Sequence, residues 1–272
     1  MEPLQMPNKN NFSKVKLLLD KTLESYLAPE FIQDDPIQIP HRFTAKEDIE
    51  IAGLLAATIA WGQRKSIIKN GRRIVELMGE EPHNFVLNHS SNDLKQFNGF
   101  VHRTFNSNDL TGFILRLKDI YTNHGGLESV FASGYHHNGI EGALTNFRSL
   151  FLSGIEDNHL KKHVADVTTG SACKRINMFL RWMVRSSNEG VDFGIWDKIP
   201  ASALQIPLDV NTANASRLLG LLHRKQNDWR AVTELTMVLR SFCPEDPIKY
   251  DFALFYIGMN KDYYSGNVDF QV

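Results

Sequence analysis

A lysine and an aspartate, Lys174 and Asp209, stand at the starts of two helical segments and could carry chemistry together. A lysine becomes a nucleophile only when its amine is neutral, which burial or nearby positive charge favours. Arg175, Arg181 and the positive N-termini of the two helices would all favour that neutral form. Asp209 could then accept the proton or stabilise positive charge that develops on a substrate. From spacing alone, a solvated lysine and an ordinary helix cap are the simpler interpretation.

The segment that Lys174 opens, KRINMFLRWMVR, has a helical pattern with one apolar face. Apolar residues recur there with the i, i+3, i+4, i+7, i+8 spacing of a buried stripe: Ile176, Phe179, Leu180, Met183 and Val184. Lys174, Arg181 and Arg185 lie on a line nearly opposite that stripe. This arrangement predicts a basic ridge that points away from the helix's own core. Asp209 is a good N-cap candidate for the later helix.

Most of the remaining chain also has helical patterns. The segment DIEIAGLLAATIAW is apolar on nearly every face, which predicts a helix buried in the centre of a domain. Two amphipathic helices are predicted at Thr111–Tyr121 and Gly142–Leu152, around a Gly/His-rich connection, HGGLESVFASGYHHNG. The linker 186–208 is long for a compact domain, which indicates function or an added lobe. No run alternates cleanly between apolar and polar residues, so the predicted fold class is all-α.

Composition predicts an ordinary globular protein. Of 272 residues, 42% are hydrophobic and 22% charged, and the net charge of -1 argues against a chain that is basic everywhere. Cys173 and Cys243 are too few for a disulfide framework or a four-thiolate cluster, which fits a reducing cytosol. The N-terminus lacks the apolar segment of a secretion signal, and no apolar run approaches the ~18 residues of a membrane span. The expected location is therefore cytoplasmic, without membrane contact.

Ten histidines make a metal site an alternative to consider. His159 and His163 are spaced i, i+4 on a predicted helix, as two ligands of one metal ion could be. The sequence between and around them, HLKKH, lacks the glutamate of a metalloprotease helix and holds two lysines that would oppose a cation. Surface histidines are the favoured interpretation, and no metal is expected. Glycine loops of the G-x-x-x-x-G-K-[ST] or G-x-G-x-x-G type are absent from the sequence, so no nucleotide cofactor is expected either.

Two blocks of the sequence, TTGSACKRINMFLRWMV and IPLDVNTANASRLLGLL, resemble the signature of the helix-hairpin-helix DNA glycosylases. The resemblance implies one unit over the whole chain with two lobes, 1–45 plus 175–272 and 46–174, a central cleft and the hairpin at the junction. It also implies that Lys174 attacks the sugar C1′, as in bifunctional members, and that Asp209 activates the lysine. The long separation between the two residues is closest to the archaeal 8-oxoguanine glycosylase branch. Over almost its full length the chain also resembles an uncharacterised bacterial family.

The hairpin implied by this resemblance contains Thr169, Gly170, Ser171 and Ala172, and in the family its backbone N–H groups bind DNA phosphate. The sequence departs from the family pattern within the hairpin and beyond it. Ala172 replaces the second hairpin glycine, and Ser171 replaces a branched apolar residue. Asn211 stands where histidine is usual, and the C-terminal cysteines of an iron–sulfur cluster are absent from the sequence.

A basic segment, residues 62–73, follows the apolar helix and holds five cations and no acid. Such a charge run is usually a solvated helix face. In the resembled family, however, the loop after a buried helix reaches into the duplex near the extruded base. That comparison assigns Gln63, Arg64 and Lys65 to DNA binding. Both interpretations stay open on the sequence alone.

The first functional hypothesis is a DNA glycosylase, with or without AP-lyase activity, that removes a damaged base such as an oxidised purine. Four cations would assist the hairpin in binding phosphate: Arg64, Lys65, Arg181 and Arg185. The extruded base would stack on one of four tryptophans: Trp61, Trp182, Trp196 or Trp229. The partner would be duplex or single-stranded DNA, and the protein would associate with the nucleoid. The alternatives are a non-catalytic nucleic-acid-binding module of the same fold and, more distantly, a metal hydrolase built on the two spaced histidines.

Overall fold

A computed structural model describes residues 9–26, 29–186 and 190–260. Within these ranges the chain forms eleven α-helices: α1 (Lys9–Tyr26), α2 (Lys46–Thr58), α3 (Arg64–Leu77), α4 (Pro82–Asn88), α5 (Ser107–Asn123), α6 (Gly126–Phe151), α7 (Asn158–Lys161), α8 (Lys174–Val184), α9 (Val210–Leu218), α10 (Trp229–Phe242) and α11 (Tyr250–Met259). Short 3-10 helices lie between them: Pro29–Asp34, Pro36–Gln38, Pro40–Arg42, Asp93–Phe97, Val167–Thr169, Ala201–Ala203 and Pro247–Lys249. Two short strands, β1 (Val101–His102) and β2 (Phe105–Asn106), pair antiparallel. The predicted all-α fold class is confirmed.

Helix α2 is buried throughout from Ile49 to Thr58, as its apolar pattern predicts. The one charged residue in that stretch, Glu50, accepts hydrogen bonds from the Tyr121 hydroxyl (2.5 Å) and the Trp196 indole (2.6 Å). Burial raises the pKa of the Glu50 carboxyl, and the two hydrogen bonds act in the opposite direction. Because α2 packs against α3, α4 and α8, it forms the centre of the molecule.

Two groups of the other helices pack among themselves, and α8 packs on α2. In the first group α4 packs on α5 and α5 packs on α6, and in the second group α1 and α9 both pack on α11. The short helices Pro36–Gln38 and Pro40–Arg42 pack on α2, although the predicted lobe boundaries place them with the second group. One cluster of buried apolar residues runs through both groups. The division into lobes stays a prediction.

Helix α6 occupies the region where the sequence pattern predicts a connection, so that prediction is wrong. The chain is helical on both sides of Asn138 and Gly139, whose backbone angles are not helical. The two helical halves lie against each other at Gly134 and Gly142, where a Cβ built on either glycine would lie 2.3 Å from the other's carbonyl oxygen. Only glycine permits such an approach. The Gly/His-rich segment is therefore a helical hairpin.

Candidate active site in the cleft between α8, α9 and α11

Lys174 and Asp209 line the same cleft, whose volume is about 610 Å³. A cleft of this size is typical of sites that take a small ligand. Its walls come from the start of α8, the start of α9, the side of α11 and the loop that joins α2 to α3. Two further acids, two arginines and three aromatic residues also line it: Asp35, Asp251, Arg64, Arg181, Trp61, Phe252 and Phe255.

Lys174 is the first residue of α8, and the residue before it, Cys173, adopts a left-handed conformation with φ 49°. The Asn177 side chain donates a hydrogen bond to the Ala172 carbonyl (3.2 Å), which ties this turn to the helix. Lys174 is half-buried, and its Nζ contacts Met178 Sδ at 3.8 Å. Among the described residues, no carboxylate lies within ion-pair distance of the Lys174 amine. The amine therefore lines the cleft without a salt-bridge partner.

Asp209 is the N-cap of α9, as its place in the sequence predicts. Its Oδ1 accepts a hydrogen bond from the Thr212 backbone N–H (2.9 Å), which fixes the orientation of the side chain. Asp209 is half-buried at the cleft, and within the described chain its Oδ2 accepts no hydrogen bond. One oxygen thus holds the helix start, and the other is available to a substrate or to Lys174.

Two other carboxylates in the cleft were missed by the sequence patterns. Asp251 is only 6% exposed, and it accepts a hydrogen bond from Arg181 at 2.5 Å. Burial and the nearby Asp209 charge together raise the pKa of Asp251 to about 6, although Arg181 and Lys174 act in the opposite direction. Burial also raises the pKa of Asp35. The signal for Asp251 was an acid in an otherwise apolar helix, YDFALFYIGM, where an unpaired charge would be costly.

The raised pKa of Asp251 predicts a pH dependence of folding stability. Because its pKa is about 6 in the folded chain and ordinarily 3.8, this group favours folding at low pH and loses that contribution as the pH rises through about 6. Asparagine resembles the protonated acid at every pH. We expect the free energy of unfolding of Asp251→Asn, relative to that of the wild type, to rise by about 2–3 kcal/mol as the pH rises from about 4 to about 7. Urea unfolding of both proteins measures this change, and an unchanged difference would contradict it.

The predicted basic ridge along α8 is wrong at Arg181 and Arg185, which are buried with 5% exposure each. Arg181 pairs with Asp192 (3.2 Å) and Asp251 (2.5 Å). Arg185 pairs with Asp192 (3.0 Å) and Asp246 (2.9 Å). The line of basic residues does point away from the apolar stripe, but acidic residues from other segments cover it. Neither guanidinium is exposed for the phosphate contacts predicted for it.

Of the four tryptophans proposed to stack on a base, Trp61 alone lines the cleft. Trp182 is fully buried in the apolar core. Trp196 is also buried, within the hydrogen-bonded group around Glu50 on α2. Trp229 is buried as well and donates its indole hydrogen bond to another helix. The predicted roles of the last three are therefore corrected, because a large aromatic ring in a core is the more common arrangement.

Trp61 and Phe255 are two aromatic rings at the cleft. The half-buried Trp61 ring stacks on His163 with centroids 5.8 Å apart, and the Arg175 guanidinium lies 4.7 Å from its centre. Phe255 is also half-buried, and the Arg64 guanidinium lies 5.5 Å from its ring centre. Phe255 lies on α11, and no sequence pattern marked it as a residue of the cleft. Either ring offers a flat apolar surface to a bound base.

The hairpin before α8 has one of the left-handed positions that the resemblance implies. Gly170 adopts φ 85°, but the second left-handed residue is Cys173 and not Ala172. The N–H groups of Gly170 and Ser171 donate to carbonyls of the preceding turn (2.9 and 3.2 Å), and the Thr169 hydroxyl bonds within the same turn. Ser171 pairs with Asp228 in an isolated antiparallel bridge, which directs the neighbouring Ala172 N–H toward the Asn227 carbonyl, and α8 has no side-chain cap. An anion could thus meet the uncapped start of α8.

The basic residues at the start of α3 lie at the rim of the cleft. Arg64 lines the cleft itself, and Gln63 and Lys65 are exposed beside it. Lys65, Lys69 and Arg72 also line an adjoining groove of about 480 Å³, together with two acids of the same groove. Of the predicted residues of this segment, Arg64 therefore lines the cleft, Lys65 lines the second groove, and Gln63 is exposed directly before Arg64 in the sequence.

These features define an all-α protein whose cleft brings one lysine together with three carboxylates. The chain belongs to the family of proteins of unknown function DUF2400, which residues 35–260 match. That span contains the whole lining of the cleft. No curated protein and no solved structure matches the chain. None of the helices in the described ranges is long and apolar enough to cross a membrane.

Proposed function

We propose that this protein is a DNA glycosylase that removes a damaged base, such as an oxidised purine, with Lys174 as the nucleophile and Asp209 as the activating carboxylate. One observation carries the proposal. Among the residues that the structure describes, an amine without an ion-pair partner and a carboxylate with one open oxygen line a single cleft large enough for one base. The proposal includes the two-lobed helix-hairpin-helix fold that the sequence around both residues resembles.

In the proposed reaction, the neutral Lys174 amine forms a bond to the sugar C1′ while the bond from C1′ to the base breaks. The base leaves with the electron pair of that bond and takes up a proton. The amine gives up a proton, for which Asp209 Oδ2 is an open acceptor at the same cleft. Opening of the sugar ring, in which O4′ keeps the electron pair, then gives an iminium ion on Lys174.

Contacts to the DNA backbone are proposed at the rim of the cleft. Gln63 and Lys65 are exposed there, and the Arg64 guanidinium lies over the Phe255 ring. Exposed cations bind phosphate because counterions are released from the DNA. The uncapped start of α8, next to Ala172, adds backbone donors and the positive end of a helix.

Replacing Lys65 and Lys69 together by glutamine should weaken DNA binding at every sequence. We expect the slope of log K against log salt to become shallower by about 1.8, since each phosphate contact contributes about 0.9 on duplex DNA. Fluorescence anisotropy over a salt series measures the slope. Lys95→Gln is the matched control, because Lys95 is exposed on the short helix Asp93–Phe97 and lines neither opening. Equal slopes for the double variant and the wild type would remove these lysines from the interface.

Borohydride trapping tests the proposed reaction directly. The full chain is incubated with duplexes that carry single oxidised, deaminated or alkylated bases, and sodium borohydride is added. We expect a covalent protein–DNA species with at least one damaged duplex and none with the undamaged one, because borohydride reduces the iminium ion. Absence of this species, together with intact bases for the whole panel, would contradict the proposal.

A second candidate is a non-catalytic nucleic-acid-binding module of the same fold. It is favoured by the hairpin, where the N–H groups of Gly170 and Ser171 are already used inside the chain. It predicts salt-dependent binding without preference for any lesion, and full recovery of intact substrate.

A further inference from the structure

Three side chains outside the cleft form a compact cluster, which we call the Asp109 cluster: Asp109, His159 and His163. Asp109 Oδ1 lies 2.7 Å from His159 Nδ1, and Asp109 Oδ2 lies 3.3 Å from His163 Nε2. One ligand atom from each of the three residues lies within 4.8 Å of the other two. The expectation that both histidines are surface residues is wrong for His163, which is only 6% exposed. Helix α7 ends at Lys161, and the next turn carries His163 inward.

The His163 ring has a buried nitrogen that lacks a hydrogen-bond partner within the described parts of the chain. His163 Nε2 is enclosed, and although Asp109 Oδ2 is near, the two atoms are not aligned for a hydrogen bond. The ring is held in place by Trp61, stacked at 5.8 Å, and by the edge of Phe105 at 5.0 Å. An unpaired buried nitrogen is costly, and native structures normally supply a partner. A ligand bound by both His163 and Asp109 would supply the missing partner of this nitrogen.

We propose that the Asp109 cluster binds a divalent first-row transition-metal ion, with zinc as the ion that fits its ligands. Two imidazole nitrogens and one carboxylate oxygen are a donor set that such ions take. His159 and His163 lie 2.7 and 3.3 Å from different oxygens of Asp109, and the three ligand atoms lie within 4.8 Å of one another. Small side-chain movements would therefore bring them to the distance of about 2.0–2.2 Å that zinc requires. The side chain of His159 is 39% exposed, so an ion can enter from that side and keep water in the remaining position.

The surroundings of the cluster orient its ligands. Asp109 Oδ2 accepts a hydrogen bond from the Asn106 N–H (2.8 Å), as part of the capping box that starts α5. Outer contacts of this kind hold a metal ligand in a binding orientation. The nearby cations Lys162 and Arg175 oppose a divalent ion, and the Asp109 carboxylate offsets part of that repulsion.

The cluster also lies directly behind one wall of the cleft, because His163 stacks on Trp61 and Trp61 lines the cleft. A bound ion would fix the His163 ring and through it the Trp61 ring. We assign the ion this positioning role and no chemical step. The inference stands on the cluster alone and does not depend on the proposed glycosylase activity.

Calorimetric titration of the chelator-treated full chain with zinc, and separately with cobalt, tests the proposal. We expect one ion per chain and a higher melting temperature with either metal. His159→Gln, which alters a partly exposed side chain, should lower the affinity at least about tenfold. His136→Gln is the control, because His136 is exposed and lies outside the cluster. Absence of binding to the wild type, or equal affinity in His159→Gln, would overturn the proposal.

A spectroscopic measurement locates the ion. Cobalt bound at the cluster should quench the Trp61 ring behind His163, so part of the tryptophan fluorescence should fall on titration. Trp61→Phe should remove that response and still bind cobalt. Quenching that persists in Trp61→Phe with unchanged amplitude would place the ion elsewhere and overturn the assignment.

Discussion

Replacement of Lys174 by glutamine is expected to abolish the borohydride-trapped complex and to lower base excision on the order of 10³-fold or more. Glutamine keeps the length of the side chain but has no nucleophilic amine. The fold should be retained, because Lys174 makes no ion pair in the described chain and its Nζ contacts only Met178 Sδ. Single-turnover excision assays and gel detection of the trapped species, on the lesion that the wild type prefers, measure both effects.

Asp209→Asn is the companion variant that separates chemistry from stability. Asparagine is as good an N-cap as aspartate, so α9 should keep its start and the melting temperature should change little. Excision should still fall on the order of 10²–10³-fold, because the charge that stabilises the transition state is lost.

Lys118→Gln on α5, outside the cleft lining, is the matched control for the Lys174 variant. Trapping by Lys174→Gln at the wild-type level would exclude Lys174 as the nucleophile.

Replacement of Asp192 by asparagine should cause the largest loss of stability among the single changes considered. Asp192 is 3% exposed and pairs with both Arg181 and Arg185, which are buried as well. Removing its charge leaves two buried guanidinium groups with one carboxylate fewer. Breaking a buried ion pair from one side costs about 3–5 kcal/mol. Chemical unfolding of wild type and variant, followed by circular dichroism, measures the loss.

An exposed ion pair is the control for the Asp192 variant. Arg42 and Glu80 lie 2.7 Å apart with side chains 36% and 42% exposed. Arg42→Gln should therefore cost less than about 1 kcal/mol. If Asp192→Asn costs no more than this control, the ion pairs of Asp192 do not stabilise the fold as expected. The loss of the Asp192 carboxylate should also disturb the cleft, because its partner Arg181 lines the cleft together with Asp251.

Local pattern was sufficient for several features of this protein. The apolar run of α2 predicts a buried central helix, because a helix without a polar face has no side that water would solvate. The position of Asp209 after an irregular segment predicts a cap, because capping depends only on residues within one turn. The start of α8 at Lys174 follows in the same way from the stripe on its apolar face. Each of these signals is carried by neighbours in the sequence.

Features that depend on distant segments could not be derived in this way. Helical periodicity shows that Arg181 and Arg185 lie opposite the apolar stripe of α8, but not that acids from residues 192, 246 and 251 cover them. The position of Lys174 at the cleft, the raised pKa of Asp251 and the enclosed His163 ring have the same origin. Each arises where segments far apart in the chain meet. Sequence spacing reports which face of a helix a residue occupies, and long-range packing decides whether that face meets water, an opposite charge or an open cleft.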